Sequence, residues 1–399
     1  MKVITFSRKV TVITKCGKHQ AEVPCNPGER LVFDNDNALS IQQDPGSARY
    51  IFEVTDLEPL IRENPRPAHW AKKRVLFYRN RGIGDQLIIS AASRFFAEIL
   101  GAECSQLSDR IHEPLWAFNP FIGGAALHMP MHLDTVWRAP RRDGSPGKPF
   151  YPGAFFFEAV TEWDSDGEQP NVYDRVFGML GFDPARVPAK FKRPVIALQK
   201  ADIDKRNQWL KQVGNAVNKS TENGYIFFQP RSTNKGRSLP NFLIEKVLYS
   251  VNEFAEKLQM PILVADDNPL DPEINAMVQR TPRAINVATA LNNVRLFVSV
   301  IGAANVVIGP DSSALHIAAA FETPAVGLWG PFEPESRTKY YPRQIHLYHP
   351  DLCPQAPCFN YLPELPAMKC PNGVLQRHCE CYEGIEAEEI FEALKTVTG

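Results

Sequence analysis

The sequence predicts an α/β architecture, and three stretches carry that prediction. Residues 306–331 read as strand, tight turn, helix and second strand. The β-branched run at 306–308 stops at Gly309-Pro310, Asp311 and Ser312 are helix-starting types, and Thr323-Pro324 closes the helix. Residues 75–99 repeat the pattern: an apolar strand at 75–78, a turn holding Gly82 and Gly84, then a helix with Leu87, Ile88, Ala91, Phe95 and Ile99 on one face. Residues 225–258 repeat it again, with a strand at 225–228, a polar loop at 229–240 and a helix at 241–258. Each time a helix N-terminus opens at the carboxyl end of a strand. That edge of an open sheet is where ligands bind, and free helix N–H groups suit an anion such as phosphate.

In chain order, residues 1–70 read as a β-rich extension, with strands at 10–13 and 50–54 and turns at Pro24, Asn26-Pro27-Gly28 and Asp44-Pro45-Gly46. It carries no catalytic pattern. The Pro-rich linker at 64–67 leads into a first domain at 71–215. There the turn before Asp85 lacks the third glycine of a dinucleotide fingerprint, which excludes NAD. Asp85 reads as a helix cap or as a carboxylate presented at the ligand edge. His128 and His132 read as surface or packing residues, 137–151 as a loop, 171–180 as a helix, 194–198 as a strand and 202–213 as a helix.

A second domain spans 216–382. Its loop at 229–240 carries Arg231, Lys235 and Arg237 among several hydroxyls, as a phosphate-binding loop does. The helix at 241–258 is expected to bury Ile244, Val247, Leu248, Val251 and Leu258. A strand at 261–265, a helix at 291–300 and a loop at 331–338 follow, and a last segment at 383–399 holds a helix at 386–397.

The composition is that of a soluble globular protein: 399 residues, 44% hydrophobic, 22% charged, formal net charge −1. No global charge favours nucleic acid or an anionic membrane. The basic clusters around Arg138–Lys148 and Arg186–Arg193 read as solvated loops. No apolar run reaches membrane-span length. Arg8 and Lys9 interrupt the apolar core a signal peptide needs, so a cytoplasmic location is expected. Of eight cysteines, Cys353, Cys358, Cys370, Cys379 and Cys381 crowd the C-terminal end. Without paired C-x-x-C spacing they give a weak zinc signal, and buried thiols are the alternative.

Taken together, R-G-I-G-D at 81–85, the loop before Pro240, D-S-S-x-x-H at 311–316, Thr323-Pro324 and G-L-W-G-P at 327–331 resemble glycosyltransferase family 9, the ADP-heptose:lipopolysaccharide heptosyltransferase group. The resemblance runs from about residue 74 to 396. It implies a GT-B fold, two Rossmann-like domains facing a cleft, with the donor nucleotide on the second and a last helix packing back towards the first. It implies inverting, metal-independent transfer with no cofactor beyond the donor, a nucleoside diphosphate sugar, by resemblance an ADP-sugar. The acceptor it implies is a saccharide or glycolipid of a surface glycan, reached at most peripherally at the inner membrane.

By position in the motifs, Asp85 corresponds to the general base and Arg81, Gly82 and Gly84 to the acceptor-side loop. Asp311, Ser312, Ser313 and His316 correspond to the donor motif. Arg237 stands where the family has a lysine near the phosphates, and Lys235 is the other candidate for that role. Ser313 stands where the family often has glycine, so it crowds a phosphate or adds a hydrogen bond. His316 touches the donor or braces the loop from within; Asp311 bonds the donor sugar or holds its own turn. Two other functions remain open on the sequence: sugar transfer to a modified nucleobase in DNA, and an inactive sugar-nucleotide-binding protein.

Overall fold

The computed structural model describes residues 2–16, 19–25, 27, 30–33, 49, 51–56, 74–78, 82–108, 113–116, 118–122, 125–126, 131–132, 153–156, 171–217, 220–232, 235–266, 268–291, 293–354, 356–357 and 379–399. The chain divides into two compact units. The first comprises Met1–Arg81, Ile89–Glu162 and Arg175–Phe191; the second comprises Gly82–Ile88, Trp163–Asp174 and Lys192–Gly399.

The first unit begins with β1 (Lys2–Phe6), β2 (Val10–Cys16), β3 (His19–Cys25), β4 (Arg30–Phe33) and β5 (Ile51–Asp56). β2 and β3 form a hairpin of their own, while β1 lies antiparallel between β4 and β5. Next come β6 (Arg74–Tyr78), helix α1 (Ile83–Leu100), β7 (Glu103–Ser108), β8 (Ala125–Ala126), β9 (Met131–His132) and β10 (Gly153–Phe156). β9 pairs with β4, so the N-terminal sheet takes its fourth strand from far along the chain. The other sheet is parallel, in the order β10-β6-β7-β8. Phe95 of α1 holds the core here, edge-on to Phe177, Phe182 and Phe191 at 5.2, 5.0 and 5.3 Å between ring centres. Ile99, expected on the apolar stripe, is exposed, because α1 ends one residue later. Phe177 lies on α2 (Val172–Met179).

The second unit is a doubly wound domain. Its parallel sheet runs β13-β12-β11-β14-β15-β16, from β11 (Ile226–Phe228), β12 (Ile262–Val264), β13 (Ala284–Asn286), β14 (Val306–Pro310), β15 (Ala325–Trp329) and β16 (Gln344–Tyr348). Numbered within the domain, this is the Rossmann order, which reverses between its first and fourth strands. β11, β12, β14 and β15 are buried at every residue, as strands covered on both faces must be. The segment at 194–198 is no strand, and its leading Pro194 lacks an N–H for a ladder.

The helices of this unit are α3 (Lys200–Val217), α4 (Asn241–Leu258), α5 (Pro272–Arg280), α6 (Val294–Gly302), α7 (Ser313–Phe321), the single turn α8 (Glu335–Thr338) and α9 (Ala387–Thr398). α4 buries Ile244, Val247, Leu248 and Val251, but its stripe closes with Phe254 and Ala255. Leu258, expected inside, is exposed where the chain turns off through Gln259 at φ 55. Ile390, Ala393, Leu394 and Val397 of α9 join α4 and the central strands in one apolar core.

Candidate active site

The site forms where the second unit's strand order reverses. β11 delivers Gln229 and β14 delivers Asp311 and Ser312 to neighbouring strand ends. Gly309 makes this possible: a Cβ there would stand 2.8 Å from the Gln229 carbonyl oxygen. The Ser312 hydroxyl donates to Gln229 Oε1 at 3.2 Å, and Gln229 Nε2 donates to the Arg231 carbonyl at 3.1 Å. Ser312 is the N-cap of α7, in extended conformation, and its side chain does not cap the helix. The Ser312 side chain thus does not compete for the first N–H groups of α7, which suit an anion. Ser313, half-buried, is the first residue of that turn.

A buried charge cluster lies beside this helix start. Asp311 is 3% exposed and receives Arg237 Nη1 at Oδ2 across 3.1 Å. Arg237 ends the short 3-10 turn Lys235–Arg237, and its carbonyl accepts the Tyr382 hydroxyl at 2.8 Å. Tyr382 in turn fits only because residue 330 is glycine; a Cβ there would meet its ring at 2.6 Å. Arg337 of α8 is also buried, its guanidinium 4.9 Å from the Phe332 ring centre. Burial pushes the Asp311 carboxyl up, but the charges of Arg237 and Arg337 and the Arg237 hydrogen bond outweigh it and hold the group below its ordinary value. His316, 5% exposed, is pushed down to about 4 by burial, against the pull of Asp311 and Asp85. It is therefore a neutral imidazole at pH 7, and its Nε2 stands 3.9 Å from Asp311 Oδ1 as a polar neighbour rather than an ion pair.

The start of α1 meets the same imidazole. A Cβ on Gly84 would lie 2.7 Å from His316 Cδ2 and 3.2 Å from Nε2. Only glycine lets this backbone rest on the ring. Asp85 follows directly, half-buried in the first turn of α1, where a carboxylate is favoured by the helix dipole. Its charge reaches His316. Two motifs far apart in sequence thus place a carboxylate, a neutral imidazole, a buried carboxylate–arginine pair and an uncapped helix start in one cluster.

The structure brings together Asp85, Gly84, Arg237, Asp311, Ser312, Ser313 and His316. Gly82 is exposed. Arg81 and the side chain of Lys235 lie outside the described residues, as do Cys358 and Cys370. Cys353 and Cys381 are buried and Cys379 is half-buried. Among the described residues no three His, Cys, Asp or Glu side chains group as metal ligands. Sequence reasoning missed Arg337, Gln229, Tyr341 and Tyr173. Arg337 and Gln229 had a usable signal, since both sit in loops recognisably at carboxyl ends of strands; the tyrosines had none.

With the geometry in place, comparison with known proteins gives a consistent answer. Residues 171–367 match the model of glycosyltransferase family 9 (heptosyltransferase). No curated protein matches the chain. Among solved structures, the chain is similar to a family 9 glycosyl transferase from Veillonella parvula DSM 2008, at 13% identity and TM-score 0.58, over 83% of this chain and 99% of that one. It is similar also to the E. coli ADP-heptose lps heptosyltransferase II, at 14% identity and TM-score 0.56, over 82% and 98%. At these identities the structures establish the fold, which is GT-B. The family match bears out the resemblance read from the motifs, and the chain is a glycosyltransferase of heptosyltransferase-like type.

Proposed function

We propose that this glycosyltransferase, with its family 9 segment at residues 171–367, moves a sugar from a nucleoside diphosphate donor to an acceptor hydroxyl with inversion and without a metal. The observation that carries the proposal is the seating of Gly84 on His316, which holds Asp85 beside the donor motif. Asp85 takes the acceptor's proton as its oxygen bonds the anomeric carbon. The donor's C–O bond breaks on the opposite face, and its electrons leave with the diphosphate. The hydroxyl holds its proton far more tightly than a carboxylate does, so transfer belongs late, in the transition state.

The charge on the leaving diphosphate meets the uncapped N-terminus of α7 and the guanidinium of Arg237. Lys235 is a second candidate for that contact, and Arg337 adds buried positive charge. Losing one such contact typically costs ~10²–10³-fold in kcat. The donor we favour is an ADP-sugar, in line with the E. coli ADP-heptose lps heptosyltransferase II that the chain resembles, and the acceptor a saccharide of a surface glycan, met in the cytoplasm. No helix among the described residues is long and apolar enough to cross a membrane.

A thermal-shift screen of nucleoside diphosphates and nucleotide sugars, followed by a transfer assay, tests this. ADP should raise Tm more than UDP or GDP. Asp85→Asn should keep that shift while kcat falls by roughly 10²–10⁴-fold. Undiminished transfer by Asp85→Asn would remove the aspartate from its role, and no response to any nucleotide would remove the donor site.

A further inference from the structure

His316 is held by a pair of phenols. Its Nδ1 hydrogen-bonds the Tyr341 hydroxyl, which lies 2.6 Å from the Tyr173 hydroxyl. The rings stack edge-on, His316 to Tyr341 at 5.6 Å and Tyr341 to Tyr173 at 5.8 Å. Tyr173 is fully buried and Tyr341 7% exposed. Burial raises both phenols, so each keeps its proton and has one to donate.

Protons can run along this row in only two directions. In one, Tyr173 donates to Tyr341, Tyr341 donates to Nδ1, and the imidazole proton sits on Nε2. In the other, Nδ1–H donates outward and Nε2 turns a bare lone pair to its surroundings. Those surroundings decide the matter. Asp311 Oδ1 is 3.9 Å from Nε2, and Gly84, next to Asp85, covers the Cδ2–Nε2 edge. Two carboxylates favour a proton there and repel a lone pair; the Arg337 and Arg237 guanidiniums act on the ring in the opposite sense, but Arg237 is itself paired with Asp311 Oδ2, and it is Asp311 Oδ1 that stands next to Nε2.

We infer that Tyr173 and Tyr341 are positioning residues, a hydroxyl relay that locks His316 as the Nε2–H tautomer so that its N–H faces the Asp85 and Asp311 side of the site. The relay is anchored rather than incidental packing. Asn171 accepts the Tyr173 backbone N–H at 2.9 Å and donates to the Glu335 carbonyl at 2.7 Å. Asp174 accepts from both Lys192, at 2.6 Å, and Tyr340, at 2.8 Å. The start of α2 is thus tied to the segment 335–341 through Asn171 to Glu335, Tyr173 to Tyr341 and Asp174 to Tyr340.

The effect on turnover rests on the proposed transfer reaction; the tautomer itself does not. The test is ¹⁵N NMR of the imidazole in the full chain at pH 7.5, with His316→Gln supplying the resonance assignment. The wild-type His316 should show a protonated Nε2 and an unprotonated, hydrogen-bonded Nδ1. Tyr341→Phe should move the Nδ1 resonance and admit the other tautomer, and Tyr173→Phe should do so less. In the transfer assay each should lower kcat with KM for the donor little changed, Tyr341→Phe by about tenfold, the worth of one net hydrogen bond. Should Tyr341→Phe fold poorly, Tyr173→Phe and the wild-type spectrum still decide. A wild-type proton on Nδ1, or ¹⁵N resonances indifferent to both substitutions, would overturn the relay. A wild type that shows the Nε2–H tautomer but neither binds nucleotide nor transfers sugar would leave the relay standing and sink the proposed function.

Discussion

His316 and His346 are the residues whose titration the fold suppresses most plainly: burial takes each down to about 4. His346 accepts the Trp329 indole N–H at Nδ1 across 3.1 Å, so its proton sits on Nε2 and goes to Thr338 Oγ1 at 2.9 Å, whose own proton goes to the Pro334 carbonyl at 2.8 Å. That chain is complete only while the ring is neutral. Above the unfolded value of about 6.5 both folded and unfolded imidazoles are neutral, and neither affects stability. Between 6.5 and about 4 the unfolded chain takes up protons the folded one refuses, so stability falls with falling pH, at about 1.4 kcal/mol per pH unit per site. Asp311, with its value lowered, adds its own loss only below the ordinary carboxylate range. Urea titrations at pH 7.5, 6.5, 5.5 and 4.5 should show this slope. His346→Asn, which keeps an acceptor for Trp329, should remove roughly half of what the two sites contribute. An unchanged slope would mean that His346 is not held neutral.

At the scale of elements, α1 and α7 are joined by a helix start resting on an imidazole. An alanine in a helix interior is ordinarily better than glycine by about 1 kcal/mol. At position 84 the added Cβ would stand 2.7 Å from His316 Cδ2, so Gly84→Ala must displace the ring or the start of α1. We expect no gain in Tm and a fall in kcat of about tenfold or more, read by a melt and a transfer assay on the same preparation. A more stable, fully active variant would show that the contact does not matter. Elements with strong local signals were the readable ones. The helix at 241–258 follows Pro240 and repeats its apolar positions every three or four residues, and the structure has it at Asn241–Leu258. The apolar run at 194–198 looked locally like a strand, but a strand exists only within a sheet, and among the described residues this run is not one of the sheet strands.

At the scale of the molecule, the second unit is discontinuous, and residues 171–174 must return to it from a distance. Lys192 is 3% exposed, and Asp174 accepts its ammonium at 2.6 Å while also accepting the Tyr340 hydroxyl. Lys192 donates to Tyr340 as well, at 3.0 Å, and lies 4.4 Å from the ring centre. Removing one partner of a buried pair strands the other charge. Asp174→Ala is therefore expected to cost about 3 kcal/mol, measured by urea unfolding. The double variant Asp174→Leu with Lys192→Met, which strands no charge, should recover much of that loss. If Asp174→Ala is as stable as the wild type, the pair is not what fastens this segment.

By itself the sequence determined the α/β class, the strand–turn–helix units and the identity of the residues in the loops and first helical turns after the strands, Asp85, Arg237, Asp311, Ser312 and His316 among them. These rest on local chemistry: periodicity, turn residues and helix caps act within a few positions of the chain. Only the tertiary structure decided that β9 completes the N-terminal sheet, that the first turn of α1 groups with the second unit, and that Arg337, Tyr341 and Tyr173 surround His316. Tyr173 and Tyr341 look like ordinary core residues in the sequence. Their role exists only because folding removes water from around them, and a buried hydroxyl or imidazole must then find its hydrogen-bond partner wherever packing has put one.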